Sequence, residues 1–383
     1  MSPSLRFPEF TGEWERCVLG DVLEFSNTRI NSSELNSGNY VSTENILQNF
    51  QGIVKARSIP EDTNVMAFSC GNILLSNIRP YLKKVWKATF NGGCSSDVFV
   101  LQANSNIDAD YLHYVVANDK FIGFVMNGAK GVKMPRGDKN QMKTYSLSLP
   151  SIKEQRKISR FLSFLDERIA VQNRLIDRLQ SLIKGINRTI FTGSGLEYSL
   201  CDVCEIRSGY SGNQLQGGKG LGVSRIETIS AHNINLERIG YVAPFEASEN
   251  YRLQVGDILF SNINSVEYIG NTAFIDKDYN LYHGMNLLRL IPFRNVVVPF
   301  YLYILLNTNR MLKHFKTICN KAVSQASINQ KELGKTIVML PSLEKQKQVC
   351  NIYQAMYSKL KTEKDVLSFY QEQKRYLLRH MFI

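Results

Sequence analysis

The passages "LPSIKEQRKISRFLSFLDERI" (Leu149–Ile169) and "LPSLEKQKQVCNIYQAMYSKL" (Leu340–Leu360) lie 191 residues apart in one chain of 383 residues. Each opens on Leu-Pro-Ser, reaches a glutamine at the same place and continues through helix formers. In the first, Ser151 is followed three residues later by Glu154, a spacing that predicts a capping box. In the second, Ser342 is followed by Glu344, an acidic residue suited to the first turn of a helix. Downstream, Ile158, Leu162, Leu165, Ile169, Gln172, Ile176, Leu179, Ile183, Ile186 and Ile190 form a heptad seam, stepping alternately by four and three residues. The seam recurs in Val349, Tyr353, Met356, Leu360, Glu363, Leu367, Tyr370, Lys374, Leu377 and Met381. Gln172 and Glu363 occupy the same place, and a polar seam residue can fix register at some cost in stability. Each passage therefore predicts a coiled-coil helix of about 40 residues, roughly 60 Å long.

The duplication extends beyond these helices. "LGDVLEF" (Leu19–Phe25) matches "LCDVCEI" (Leu200–Ile206), "GNILLSNIRP" from Gly71 matches "GDILFSNINS" from Gly256, and "DYLHYVVAN" from Asp110 matches "FYLYILLNT" from Phe300. The offset drifts from 181 to 191, so small insertions accumulate in loops. Cut after Thr192, the chain gives two halves that each carry a net charge of +6. In each half, short β-like runs such as "DVFVLQA" alternate with Gly, Asn and Ser turns before the long helix begins. "DADYLHYVVANDKFIGFVMN" (Asp108–Asn127) reads as one helix. The predicted fold is α+β: two pseudo-symmetric α/β heads separated by two long coiled-coil helices, antiparallel if a pseudo-two-fold axis relates the halves. The expected segments are 1–150, a first head; 151–192, a first spacer helix; 193–340, a second head; and 341–383, a second spacer helix.

The net charge of +12 and pI near 9.2 suit a polyanionic partner such as nucleic acid. No apolar run is long enough to span a membrane, and the start "MSPSLRFPEFTGEWER" lacks the pattern of a secretory signal, which predicts a cytoplasmic protein. Seven scattered cysteines include one CxxC, Cys201 and Cys204. No second ligand pair accompanies it, and the first half has Gly20 and Leu23 at these positions, so buried thiols are expected. The five histidines (His113, His232, His283, His314, His380) are dispersed and read as surface or packing residues. No phosphate-binding loop, S-adenosylmethionine loop, methyltransferase signature, zinc motif or convincing nuclease pattern is present. The pattern favours a binder over an enzyme.

Basic and amide side chains cluster in presumed loops. The first head has Arg79, Lys83 and Lys84 in "NIRPYLKKVWK", which also holds Lys87, and Lys130, Lys133, Arg136 and Lys139 in "GAKGVKMPRGDKNQ". The second has Lys219 in the glycine-rich "GGKGLG", read as a mobile loop, Asn262 and Asn264 in "SNINSVEY", and Lys321, Ser324, Gln325, Ser327 and Asn329 in "NKAVSQASINQK". Lysine and arginine can neutralise phosphate, and Asn, Gln and Arg can pair with base edges. Similar frameworks with unlike loops suit two heads that read different sequences.

The chain resembles the specificity (S) subunit of type I restriction–modification systems. The likeness rests on the twice-used "LPSIKEQ" and "LPSLEKQ", the "GNILLSN" and "GDILFSN" strands, the "SQASINQKELGKTIVMLP" lead-in and the head–helix–head–helix order. The first lead-in, "GVKMPRGDKNQMKTYSLSLP", departs from the Ser-Gln-Ala-Ser pattern. The resemblance implies that each head is a target recognition domain for one half of a bipartite double-stranded DNA site. The helices act as a ruler and as the dock for two modification subunits, which carry S-adenosylmethionine and methylate adenine. Restriction subunits with ATP- and Mg-dependent translocase and nuclease activity join them, and this chain itself has no catalysis and no cofactor. A stand-alone DNA-binding regulator, a structural scaffold and an unrecognised nuclease are the competing readings.

Overall fold

The computed structural model describes residues 3–190, 195–215, 218–230, 233–321 and 325–382, and of residues 187–190 the backbone only. Two compact units result: Met1–Arg174 with Lys364–Ile383, and Leu175–Glu363. Each contains one head and part of both long helices, which run Ile152–Ile190 and Leu343–His380.

The heads repeat one topology. In the first, strands Leu23–Phe25, Val98–Ala103, Ile73–Ser76 and Val85–Lys87 lie side by side in that order, all antiparallel. In the second, Cys204–Ser208, Leu288–Pro292, Ile258–Phe260 and Thr272–Phe274 take the same order. Register is also kept, with Ile73 opposite Leu101 and Ile258 opposite Leu290. The central strands are apolar on both faces and buried throughout, as "ILLS" and "ILF" dictate. A two-stranded ribbon closes each head against its helix: Glu15–Val18 with Ser146–Leu149, and Leu196–Ser199 with Ile337–Leu340. The heads differ in their second sheet, which in the first has four strands, Arg29–Asn31, Asn64–Phe68, Gly92–Cys94 and Tyr40–Val41, and in the second is a ribbon of Leu221–Val223 and Gly240–Val242 with single bridges from Val223 and Arg252 to Tyr282. Asp108–Asn127 is two helices rather than one, Ala109–Val116 and Asp119–Asn127. Asn118 divides them: its Oδ1 accepts from Lys120 N (3.0 Å), and its Nδ2 donates to Leu378 O (3.0 Å).

The seam forms in both helices. All of its members from Ile158 to Ile186 and from Val349 to Met381 are buried or half-buried, while most residues between them are exposed. The side chain of Ile190 lies outside the described residues. Gln172 and Glu363 are both buried. In the first unit Asp166 receives Lys374, and Arg168 donates to the Tyr370 hydroxyl at 3.4 Å. Sequence number rises along one helix as it falls along the other, so the helices are antiparallel.

The repeated glutamine explains the repeated phrase. Gln155 Nε2 donates to Pro150 O (3.0 Å), and its Oε1 accepts from the backbone of Asp108 (2.8 Å), the residue that caps the following head helix. Gln346 Nε2 donates to Pro341 O (2.9 Å) and its Oε1 accepts from Val298 N (2.8 Å), the corresponding cap. Both glutamines are 1% exposed. One carboxamide thus joins the first turn of each long helix to its head. The capping-box expectation is half right. Ser151 Oγ accepts from Glu154 N at a long 3.4 Å, but the buried Glu154 carboxylate is taken by Arg6 in a fork of 2.7 and 2.8 Å. A bidentate guanidinium satisfies both carboxylate oxygens, which one backbone N–H cannot do.

Gln155→Ala strands the Asp108 N–H and the Pro150 carbonyl. It is expected to destabilise the first unit by about 1–3 kcal/mol in denaturant unfolding. Gln346→Ala should do the same to the second unit.

Candidate nucleic-acid interface

Beyond its buried strand, "SNIRP" runs on to meet the second basic loop. Arg79 N donates to Pro135 O (2.8 Å), and Gly137 N donates to Asn77 O (3.1 Å). Lys130 and Arg136 exchange two backbone hydrogen bonds of 2.9 Å, folding residues 130–136 into a hairpin. Gly131, at φ +95°, supplies the left-handed turn that the tip requires. The second head builds the same ribbon from Ile263–Asn264, Ala326–Ser327 and Asn320–Lys321, with Ile328 N donating to Asn262 O at 2.8 Å.

The ribbon brings Arg79, Lys130, Lys133 and Arg136 together in the first head, and Asn262, Asn264, Lys321, Gln325 and Ser327 in the second. Ser324 lies outside the described residues, as does His232. Arg79, Lys133, Lys321 and Gln325 are exposed. Arg136 pairs with Asp97 at 3.2 Å and Lys130 with Asp138 at 2.9 Å. The Lys130 hydrogen bond and two backbone N–H groups hold the Asp138 carboxyl below its usual range. Exposed pairs of this kind cost little to break.

Other candidates are committed elsewhere. The Lys84 ammonium donates to Thr43 O, and burial depresses its pKa. Lys83 pairs with Asp119 at 2.6 Å. Lys139 lies 5.2 and 5.5 Å from the centroids of Phe99 and Phe25, in cation–π contact. Asn329 Oδ1 caps the helix Gln330–Gly334 by accepting from Glu332 N (2.8 Å), as Asp138 caps Lys139–Lys143. Lys219 stands apart from the ribbon, beside the strand Leu221–Val223. Asn262 donates to Ile328 O (3.3 Å) and Asn264 to Ser261 Oγ (3.1 Å), so part of each amide braces the ribbon.

The search for Lys, Arg, Asn and Gln missed the apolar tip. Val132 is wholly exposed and Met134 is 47% exposed, with Tyr81 and Tyr268 exposed beside the two ribbons. Two hydrophobic residues inside a Gly-Lys-Pro loop were the available signal.

The cysteines are split. Cys204 is buried, with its thiol pushed up to about 12 by burial, whereas Cys201 is exposed beside Ser199. The expectation of buried thiols therefore fails for Cys201, because the short helix Leu200–Val203 turns only one of the two cysteines inward. No His/Cys/Asp/Glu group among the described residues could hold a metal, and no described helix is long and apolar enough to cross a membrane.

A family model described as "Type I restriction modification DNA specificity domain" matches residues 11–181 and again 196–368, once for each repeat. The chain belongs to this family. The putative type I restriction enzyme MjaX specificity subunit of Methanocaldococcus jannaschii is 38% identical over 48% of this chain and 44% of its own length. The type I restriction enzyme EcoDI specificity subunit of Escherichia coli is 28% identical over 33% of this chain and 29% of its own. The chain thus spans less than half the length of these two relatives. A crystal structure of the type I restriction–modification S subunit from M. genitalium matches the fold with a TM-score of 0.64 at 17% identity, covering 100% of this chain and 99% of that one.

Iodoacetamide at pH 8 should modify Cys70 and Cys201 within minutes and leave Cys94 and Cys204 intact until the protein is unfolded; mass spectrometry of peptides reads the difference.

Proposed function

We propose that this chain is the non-catalytic DNA-recognition subunit of a type I restriction–modification complex. Each head reads one half of a bipartite double-stranded target, and the complex methylates adenine or cleaves through partner subunits. The observation that carries this reading is the ribbon: three corresponding segments pair in both heads, as strands in the second and through single bridges in the first, and the two copies present different side chains. Arg79, Lys133 and Arg136 in one copy suit phosphate and guanine, and Asn264, Gln325 and Ser327 in the other suit base edges. Ser324, which precedes Gln325 in the sequence, extends that set. The major groove admits a two-stranded β-ribbon, which residues 130–136 in the first head and Asn320–Lys321 with Ala326–Ser327 in the second can each supply. The partner subunits would hold S-adenosylmethionine, ATP and Mg.

A second surface favours a complex over a stand-alone regulator. Each residue one place before a seam position lies on a neighbouring stripe of the same helix. In the first unit this stripe exposes Phe161, Phe164 and Val171, and Phe369 and Tyr376 on the second helix; in the second unit it exposes Leu175, Leu182 and Ile352. Exposed aromatic and aliphatic residues repeating at heptad spacing suit helices of two methyltransferase subunits.

Replacing residues 1–150 with another family head should change one half of the methylated target and leave the other intact, as read by methylation-aware sequencing. A change in both halves refutes the division of labour. The two halves should lie about one helical turn apart. Phe164→Ser with Val171→Ser should abolish co-purification of the methyltransferase without lowering the melting temperature.

A further inference from the structure

Four of the eight non-glycine residues with positive φ among the described residues meet at one junction of the first head. Asn49 (φ +55°) and Phe50 (φ +61°) are consecutive, and they meet the end of the turn that Arg79 (φ +52°) begins and Lys83 (φ +55°) closes. Asn49 N donates to Leu82 O (3.1 Å) and Phe50 N to Lys83 O (3.0 Å), so the two turns are zipped together. Phe50 packs on the core below. Left-handed backbone is costly for side-chain-bearing residues, above all for Phe, and such strain persists only where the surroundings enforce it.

The zipped junction turns Gln48, Asn49 and Gln51 outward. All three are exposed, and none of their carboxamides has a hydrogen-bond partner among the described residues. Nearby amides behave differently: Asn45 accepts from Ser42 N at 2.9 Å, and Asn36 and Asn39 brace their own turn. Beside the three free amides stand Arg79, exposed and without an ion pair among the described residues, and the exposed Tyr81. No pair of consecutive left-handed non-glycine residues occurs among the described residues of the second head.

We propose that the turn Gln48–Gln51 is a second base-reading element, present in the first head alone, in which the Asn49 carboxamide takes the N6 and N7 edge of one adenine. Gln48 and Gln51 flank that contact, and Arg79 holds the adjoining phosphate. An asparagine amide offers one donor and one acceptor, which matches that edge in the major groove. The strained backbone fixes the amide before DNA arrives and so reduces the ordering cost of binding. The inference rests on the DNA-recognition reading above.

The test uses the full chain assembled with its methyltransferase subunit, and target duplexes in which each adenine of the first half-site is replaced in turn by 7-deazaadenine. The wild-type complex should lose about tenfold in affinity at one such position. Asn49→Gly, which accepts the left-handed backbone without strain, should lose about the same factor on the natural duplex and be indifferent to 7-deazaadenine there. Its melting temperature should be unchanged or raised, and recognition of the second half-site should be unchanged. An Asn49→Gly complex that keeps wild-type affinity and wild-type sensitivity to 7-deazaadenine overturns the proposal while leaving DNA recognition by the heads intact. A wild-type complex that selects no duplex overturns that broader reading as well.

Discussion

A single buried carboxamide governs how each long helix leaves its head. The proline carbonyl before each long helix and the N–H of the residue that caps each head helix both need partners once they are buried. Gln155 and Gln346 answer both needs at once, because an amide side chain carries a donor and an acceptor on one rigid plane. Glutamate lacks the donor, and asparagine is one methylene shorter. With the glutamine fixed, the direction of the first turn is fixed, and the seam that follows has a defined starting phase. Arg6 and Glu154 add a second tie in the first unit, where the N-terminal segment also reaches the end of the other long helix through Leu5 N and His380 O.

The fold was largely legible because it is written twice. Heptad spacing predicted both long helices, and the aligned strands predicted the common sheet. What could not be read came from side chains with more than one chemically sensible partner. Glu154 fits a capping box by spacing, but an arginine nearly 150 residues away supplies two hydrogen bonds in place of one. Asn118 lies within an apolar helical pattern, but a carboxamide that can cap the next turn and bond a distant carbonyl divides that helix. Sequence period reports which face is buried and says little about which polar group a buried residue will meet.

The interface was legible in part for a related reason. The loops with basic or amide side chains were identifiable in each head, and the pairing of two of them into one ribbon was not, since it depends on backbone bonds between Asn77 and Gly137 and between Asn262 and Ile328. Composition also weighed residues equally. Lys133 and Lys139 look alike as letters, yet one stands at a hairpin tip and the other lies over Phe25 and Phe99. Val132 was overlooked because an apolar residue is ordinarily presumed to face inward.

The division of labour in each head follows from these constraints. The surface that meets the long helix is bound by shape and hydrogen bonding: the closing ribbon, the helix pair and the glutamine must fit together, and the two copies keep them. The other ribbon is paired through main-chain bonds, which do not depend on side-chain identity, with side-chain support from Asn262 and Asn264 in the second head. Its residues can therefore change without disturbing the head, so that Arg79, Lys130 and Arg136 in one copy stand where Asn264, Asn320 and Ser327 stand in the other. A backbone-built platform on a side-chain-locked base lets one fold be used twice in a chain while its two copies diverge in what they contact.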